Sequence, residues 1–216
     1  MKNITREIPI GEIVTILPQT ANYFIKEGVD FCCGGERPLE EAIKDSNLSI
    51  DEVLNNLEEI KNSSTKKYKA WQEGTSEEII DHIINTHHQF LRENLPLISD
   101  LAFKVLYVHG KKHKVLYEVH ELFNTLRSEL ERHLIKEETL LFPAIHEGNA
   151  LLIKELMDEH DGAGDLIKAI KELTDHYKLP EDACQSYKLL FDKLEALEID
   201  TYNHVHLENN ILFKKL

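Results

Sequence analysis

The sequence predicts an all-α protein, in which a small N-terminal helical domain precedes an antiparallel, up-down-up-down four-helix bundle. Four long amphipathic stretches cover about residues 76–108, 114–147, 150–176 and 181–214. Only short polar connections separate them, and short connections favour antiparallel neighbours. No segment alternates apolar and polar residues in the way that is typical of a half-buried strand. These observations together define the predicted fold class.

The N-terminal part contains local signals for three short helices. "TANYFIKEG" ends at Gly28, a natural helix C-cap, and Pro38 in "RPLEEAIKD" is suitably placed near a helix start. "SIDEVLNNLEEI" opens with a capping box formed by Ser49 and Glu52. We therefore expect short helices without a large core in this part of the chain.

A polar segment separates the two predicted domains. Residues 61–76, "KNSSTKKYKAWQEGTS", lack apolar periodicity and are interpreted as a linker. The small helical domain then covers residues 1–60, and the bundle covers residues 77–216. A second capping box, Thr75 with Glu78, marks the start of the first bundle helix.

Composition excludes several classes of partner. With 39 acidic and 25 basic residues the formal net charge is −14, which disfavours nucleic acid and anionic membranes as partners. The start of the sequence does not resemble a signal peptide, and no apolar run approaches the roughly 18–20 residues of a spanning helix. Three cysteines do not form a disulfide framework. We expect a cytoplasmic protein.

Each of the four bundle helices places a histidine on its apolar face. Apolar residues recur at alternating spacings of three and four, which predicts one inward seam per helix. Two seams also carry a glutamate four residues after the histidine. The seams are Ile84, His88, Leu91, Leu95, Ile98, Ala102, Val105; Val119, Phe123, Leu126, Leu130, His133, Glu137, Leu140; Ile153, Leu156, His160, Ala163, Ile167, Ile170; and Tyr187, Leu190, Leu194, Leu197, Thr201, His204, Glu208, Ile211.

The polar seam residues fall near one height of the predicted bundle, about 15 Å from one end at the α-helical rise per residue. Buried carboxylates need a compensating cation, and neutral imidazoles are metal ligands. One alternative is a core in which the histidines only hydrogen-bond to the glutamates. Six ligands exceed one tetrahedral zinc site and suit two ions, with the glutamates bridging. Such a donor set favours iron, with manganese or zinc as substitutes.

Neighbouring residues allow further interpretations. His87 would replace His88 as a ligand if the helix were rotated. Glu129 and Glu159 lie near ligand positions and would orient an imidazole, or else belong to a solvated face.

Adjacent Cys32 and Cys33, followed by two glycines, are candidate redox thiols. The helix predicted near Pro38 would lower a thiol pKa. The alternative is a pair of inert thiols.

Five segments resemble one branch of the hemerythrin-like family, the repair-of-iron-centres proteins. They are "HLIKEETLLFP", "HVHLENNILF", "DEHDGAG" around His160, "HHQFLRENLPL" around His88, and "GVDFCCGGERPLEEA", which is similar to the small N-terminal domain of that branch. The resemblance covers nearly the whole chain in the expected order. It implies a di-iron centre, oxo- and carboxylate-bridged, with ligands His88, His133, Glu137, His160, His204 and Glu208.

Two departures argue against related functions. Oxygen-carrying hemerythrins have His-x-x-x-His in the third helix, whereas Leu156 and Gly164 stand four residues from His160 here. The Glu-x-x-His motif of ferritin-like di-iron bundles is missing from the sequence.

The resemblance therefore implies repair of iron–sulfur clusters damaged by nitrosative or oxidative stress, with iron donation as one route. Reduction of nitric oxide at the same irons, an enzymatic activity, stays open as an alternative. Reversible binding and sensing of oxygen or nitric oxide is a further alternative. The implied partners are damaged iron–sulfur proteins and small oxidants such as nitric oxide. We also expect a homodimer.

Overall fold

A computed structural model of the chain describes residues 4–44, 46–63 and 71–216. These residues are helical apart from turns, loops and one isolated bridge between Pro9 and Pro38. The predicted all-α class is confirmed. Two compact units are present: one contains the chain up to Asp81 together with Tyr202–Leu216, and the other is His82–Thr201.

The first unit contains the short helices and the end of the chain. Its helices are α1 (Ile10–Ile16), α2 (Thr20–Glu27), α3 (Leu39–Ala42), α4 (Ile50–Ser63) and α5 (Ser76–His82), of which α5 reaches the boundary with the second unit.

The predicted helix signals are present. Gly28 ends α2 in the left-handed region, with a φ of 69° that glycine adopts without strain. Pro38 directly precedes α3. The backbone N–H of Glu52 donates to Oγ of Ser49 over 3.2 Å, which closes the capping box. Helix α1 was not predicted.

The predicted linker lies partly outside the described residues, since positions 64–70 are not among them. Helix α4 continues through Ser63, past the predicted start of the linker at residue 61. The capping box before α5 is confirmed, because the N–H of Glu78 donates to Oγ1 of Thr75 over 3.2 Å. The domain boundaries stay a prediction about which part folds by itself.

The second unit is built from four long helices. These are α6 (Gln89–His109), α7 (Val115–Lys136), α8 (Ala150–Leu173) and α9 (Gln185–Leu207), the last of which continues into the first unit. Wider and tighter helical turns extend them: π-helical segments at Ile83–His88, Glu137–Leu141 and Glu208–Leu212, and 3-10 helices at Phe142–Glu147 and Phe213–Lys215.

Contacts between α6 and α7 show that the two helices are antiparallel. Arg92, near the start of α6, donates to Glu138, just beyond the end of α7, over 2.6 Å. Phe103, near the end of α6, packs against His120, near the start of α7, with ring centroids 6.4 Å apart. The order of contacts along one helix is thus reversed along the other.

Helix α9 closes the bundle between α8 and α6. Nζ of Lys171 on α8 donates to Glu198 over 2.7 Å. On the other side, Nζ of Lys193 donates to Oδ1 of Asn94 on α6 over 2.8 Å. Nζ of Lys136, at the end of α7, lies 2.5 Å from Oε1 of Glu155 on α8. Each long helix therefore contacts two others, and the predicted four-helix bundle is confirmed.

The π-helical segments shift the buried face by one residue, and the seam prediction is wrong at one position in each of two such segments. Leu141 is 2% exposed, whereas the predicted Leu140 is 55% exposed. Ile83 is fully buried, whereas the predicted Ile84 is only half-buried. A π turn takes one residue more than an α turn, so the inward position moves along the chain by one.

In the described ranges, none of the helices combines the length and the apolar character that crossing a lipid bilayer requires.

Candidate metal centre

Three of the predicted ligands stand at the edges of π-helical segments. The first segment ends at His88, the second begins at Glu137 and the third begins at Glu208. Widened turns of this kind are frequent at functional sites, because the extra residue re-aims side chains without breaking the helix.

Glu137 is the centre of a cluster inside the bundle unit. Its carboxylate is 0% exposed, with Oε2 3.2 Å from Nε2 of His88 and Oε1 3.1 Å from Nε2 of His133. Nε2 of His160 lies 3.0 Å from Nε2 of His133. The ligand atoms of His133, Glu137 and His160 all lie within 4.8 Å of one another. Four predicted ligands are thus brought together in this unit.

Glu138 orients the imidazole of His88, and sequence reasoning missed it. Nδ1 of His88 donates to Oε1 of Glu138 over 2.6 Å, and Arg92 holds the same carboxylate. Partial burial raises the pKa of Glu138, but the hydrogen bonds from His88 and Arg92 outweigh burial and lower it below its ordinary value. A charged acceptor at Nδ1 leaves the Nε2 lone pair for a metal.

Glu159 has the same role for His133. Nδ1 of His133 donates to Oε2 of Glu159 over 2.8 Å, and Lys136 also contacts this carboxylate. Partial burial raises the pKa of Glu159, but the hydrogen bonds from Lys136 and His133 lower it overall. Glu129, the other candidate for this role, instead lines a shallow surface groove beside Asn124.

The donor geometry fits a divalent metal ion. With their Nδ1 protons directed at Glu138 and Glu159, His88 and His133 present Nε2 lone pairs to the oxygens of Glu137. Lone pairs of a nitrogen and an oxygen facing each other at 3.1–3.2 Å repel unless a proton or cation lies between them. Two ligands at about 2.1 Å and at right angles on one metal ion are about 3.0 Å apart.

The alternative ligand His87 has a different partner. Its Nδ1 lies 2.9 Å from Oδ1 of Asp200 on α9, whereas the neighbouring His88 contacts Glu137. The geometry therefore favours His88, as the spacing did.

His204 and Glu208 form the second pair of donors. They belong to the first unit, which contains the short N-terminal helices and the C-terminal end of the chain. Nε2 of His204 lies 3.4 Å from Oε1 of Glu208, one turn further along, and both side chains are buried. The pair has the same spacing and the same contact type as His133 and Glu137.

The N-terminal helices pack against the segment that carries Glu208. Nδ2 of Asn210 donates to the carbonyl oxygen of Cys32 over 2.8 Å. His206 contacts Oγ1 of Thr15 at 3.2 Å and the ring of Phe31 at a centroid distance of 5.6 Å. Burial lowers the pKa of His206 to about 4, so its ring is neutral at pH 7. Sequence reasoning missed this contact surface.

Two glycines make this packing possible. A Cβ on Gly11 would lie 2.4 Å from Oδ1 of Asn210, and one on Gly35 would lie 2.2 Å from the same atom. Both distances are far inside van der Waals contact, so only glycine fits at these positions.

Cys32 and Cys33 are both reduced, with their sulfurs 3.9 Å apart. The Asp30 carboxylate accepts the backbone N–H groups of both cysteines over 3.0 Å. The hydrogen bond with Cys33, together with burial, raises the pKa of Cys32 well above its ordinary value. The expectation of a lowered thiol pKa is wrong for Cys32, and the redox role stays a prediction.

Comparisons with known proteins agree with this site. Residues 79–216 match the hemerythrin HHE cation binding domain, and residues 6–61 match the ScdA N-terminal domain, a domain of unknown function. The chain belongs to the hemerythrin-like family.

Its similarity to individual relatives extends over nearly the full length. It is 33% identical to the iron-sulfur cluster repair protein ScdA of Staphylococcus haemolyticus, over 98% of this chain and 99% of the relative. It is 36% identical to the probable iron-sulfur cluster repair protein of Haemophilus influenzae, over 96% and 95%. It is also 36% identical to the iron-sulfur cluster repair protein YtfE of an Enterobacter species, over 97% and 96%. The resemblance predicted from the motifs is confirmed.

Proposed function

We propose that this chain binds two iron ions and uses them in the repair of damaged iron–sulfur clusters. The observation that carries the proposal is the fully buried Glu137 with an imidazole Nε2 at 3.1–3.2 Å from each of its oxygens. The proposed ligands are His88, His133, Glu137, His160, His204 and Glu208.

The second pair of donors supports a dinuclear centre. His204 and Glu208 supply the same atom types as His133 and Glu137, from a buried position on the continuation of α9. Six protein donors exceed the requirement of a single ion and would suit two, which Glu137 and Glu208 would hold together with the four histidines.

Within the proposed centre each residue has a defined task. Bound there, iron would supply a redox-active cation, and six protein donors would leave room for a small molecule at the two ions. Glu138 and Glu159 hold the Nδ1 protons of His88 and His133, so that Nε2 would be the atom that binds the metal. The full burial of Glu137 excludes water from its carboxylate.

Iron content per chain tests the centre. We expect two irons in the wild-type protein and at most one after Glu137→Gln or Glu208→Gln. His88→Gln should also lose iron. The matched control is His87→Gln, which changes the adjacent buried histidine and should retain iron. Full occupancy by a single ion would refute the dinuclear proposal.

Cluster repair is supported by the relatives, which are iron-sulfur cluster repair proteins and match this chain over nearly their whole length. The test incubates the iron-loaded protein with an iron–sulfur protein damaged by nitric oxide, and separately with nitric oxide alone. Recovery of the client together with loss of iron from the donor supports repair by iron donation. A reduced gas product with full retention of iron would instead support the alternative, nitric oxide reduction.

A cytoplasmic location and a homodimer stay predictions. Fractionation of cells and the solution mass of the purified chain test them.

A further inference from the structure

A second group of metal-ligand side chains lies at the opposite end of the four-helix bundle from Glu137. His109 is the last residue of α6, His113 lies in the turn before α7, and Asp182 lies in the connection before α9. The ligand atoms of these three residues all lie within 4.8 Å of one another. His109 follows His88 by 21 residues, which is about 30 Å along a helix. The group is therefore separate from the site described above.

Both imidazoles of this group direct Nε2 at the connection before α9. Nε2 of His113 lies 2.9 Å from Oδ1 of Asp182, and Nε2 of His109 lies 3.3 Å from Sγ of Cys184. The backbone N–H of His113 donates to the carbonyl of His109 over 2.9 Å, so the two histidines share one side of a helical turn. Two nitrogens and one carboxylate thus face a common point, and the Cys184 thiol lies beside one of the two nitrogens.

A buried tyrosine holds the two rings in this orientation. Tyr187 packs edge-on against His109 with centroids 5.2 Å apart and against His113 with centroids 5.9 Å apart. Rings that are already positioned lose little freedom when a ligand binds, which favours affinity.

We propose that His109, His113, Asp182 and Cys184 form a second metal site, which takes a zinc-type divalent cation. Two imidazoles, a carboxylate and a thiolate are the donor types of tetrahedral zinc sites, and zinc accepts all three at about 2.0–2.3 Å. On binding, the Cys184 thiol releases its proton to solvent and the sulfur lone pair bonds to the metal. The two imidazoles bind through Nε2 as neutral rings.

Lys112 competes with a cation at this site. Its Nζ lies 2.7 Å from Oδ2 of Asp182, on a side chain that is largely exposed. An exposed ion pair of this kind is weak, so a divalent ion displaces it. If the group were only a surface ion pair, Lys112 would be its main cation and no metal would bind.

The test uses the full-length, iron-loaded protein titrated with Co²⁺, followed by competition with Zn²⁺. We expect one Co²⁺ per chain beyond the iron, with a thiolate-to-cobalt charge-transfer band and the intense visible bands of tetrahedral cobalt. His113→Ala should weaken binding at least about tenfold, and Cys184→Ser should abolish the charge-transfer band. His120→Ala, which removes an imidazole elsewhere on the bundle, should change neither.

Lys112→Ala provides an independent readout, because removal of the competing ammonium should tighten Co²⁺ binding. Thermal melting of each variant confirms folding, and the iron content should stay at the wild-type value throughout. The proposal is overturned if no cobalt binds beyond the iron, or if the stoichiometry and spectrum are unchanged in His113→Ala and Cys184→Ser.

Discussion

Gly35→Ala is the sharpest test of the contact between the N-terminal helices and the segment that carries Glu208. The new Cβ would lie 2.2 Å from Oδ1 of Asn210 and 2.8 Å from the backbone carbonyl of Phe31. Asn210 is buried and donates to Cys32, so it cannot rotate away without losing this hydrogen bond. Overpacking costs about 1–3 kcal/mol, and the lost hydrogen bond about 1 kcal/mol more.

For a chain of this length each kcal/mol lowers the melting temperature by about 2–4 °C, so we expect a loss of roughly 5–15 °C. Calorimetry measures the shift. Gly162→Ala is the matched control: it lies inside α8 with nothing within 4 Å of the added Cβ. The same substitution should there stabilise by about 0.5–1 kcal/mol. If Gly35→Ala melted within about 1 °C of wild type, close packing of Gly35 against Asn210 would be refuted.

Two further predictions concern the site, and a third concerns the contact made by Asn210. Glu159→Ala should weaken iron binding about 10–100-fold because the Nδ1 proton of His133 loses its acceptor, whereas Glu129→Ala should have no effect, as iron titrations can measure; equal effects would contradict the assigned role. The iron-free form of Glu137→Leu should melt no lower than iron-free wild type, because a buried carboxylate costs desolvation without metal; a large drop in calorimetry would speak against this. Asn210→Ala should lower stability in urea by about 1–3 kcal/mol, because buried carbonyls lose their donor; an unchanged midpoint would argue that the contact is weak.

The spacing of apolar residues was sufficient to predict the bundle and to identify the side chains that cluster within it. It did not show where the helices widen. At both errors the neighbouring residues are equally apolar, Ile83 beside Ile84 and Leu140 beside Leu141. Either register therefore satisfies the pattern, and only packing selects between them.

The supporting residues were harder to predict than the ligands. Glu138 is adjacent to Glu137, and adjacent residues of a regular helix do not face the same neighbour. The seam of inward positions therefore contains Glu137 and leaves Glu138 out of the predicted site. Asn210 finds its partner Cys32 at a distance of 178 residues along the chain, which no local pattern reveals. Glu159 was among the candidates because it adjoins His160, but only the structure joins it to His133.

The widened turns also decide which changes in length the helices can accept. Removal of one residue between Glu137 and Leu141 would leave the number of residues that an ordinary helical turn needs, so the segment could remain helical. The former Leu141 would then stand three residues after Glu137, which is the inward position of an α-helix, and would stay in the interior. The same deletion in an ordinary turn would rotate every side chain beyond it by about 100°, the angle between successive residues. Evolutionary loss of a residue is therefore tolerated best at the very turns that hold the ligands.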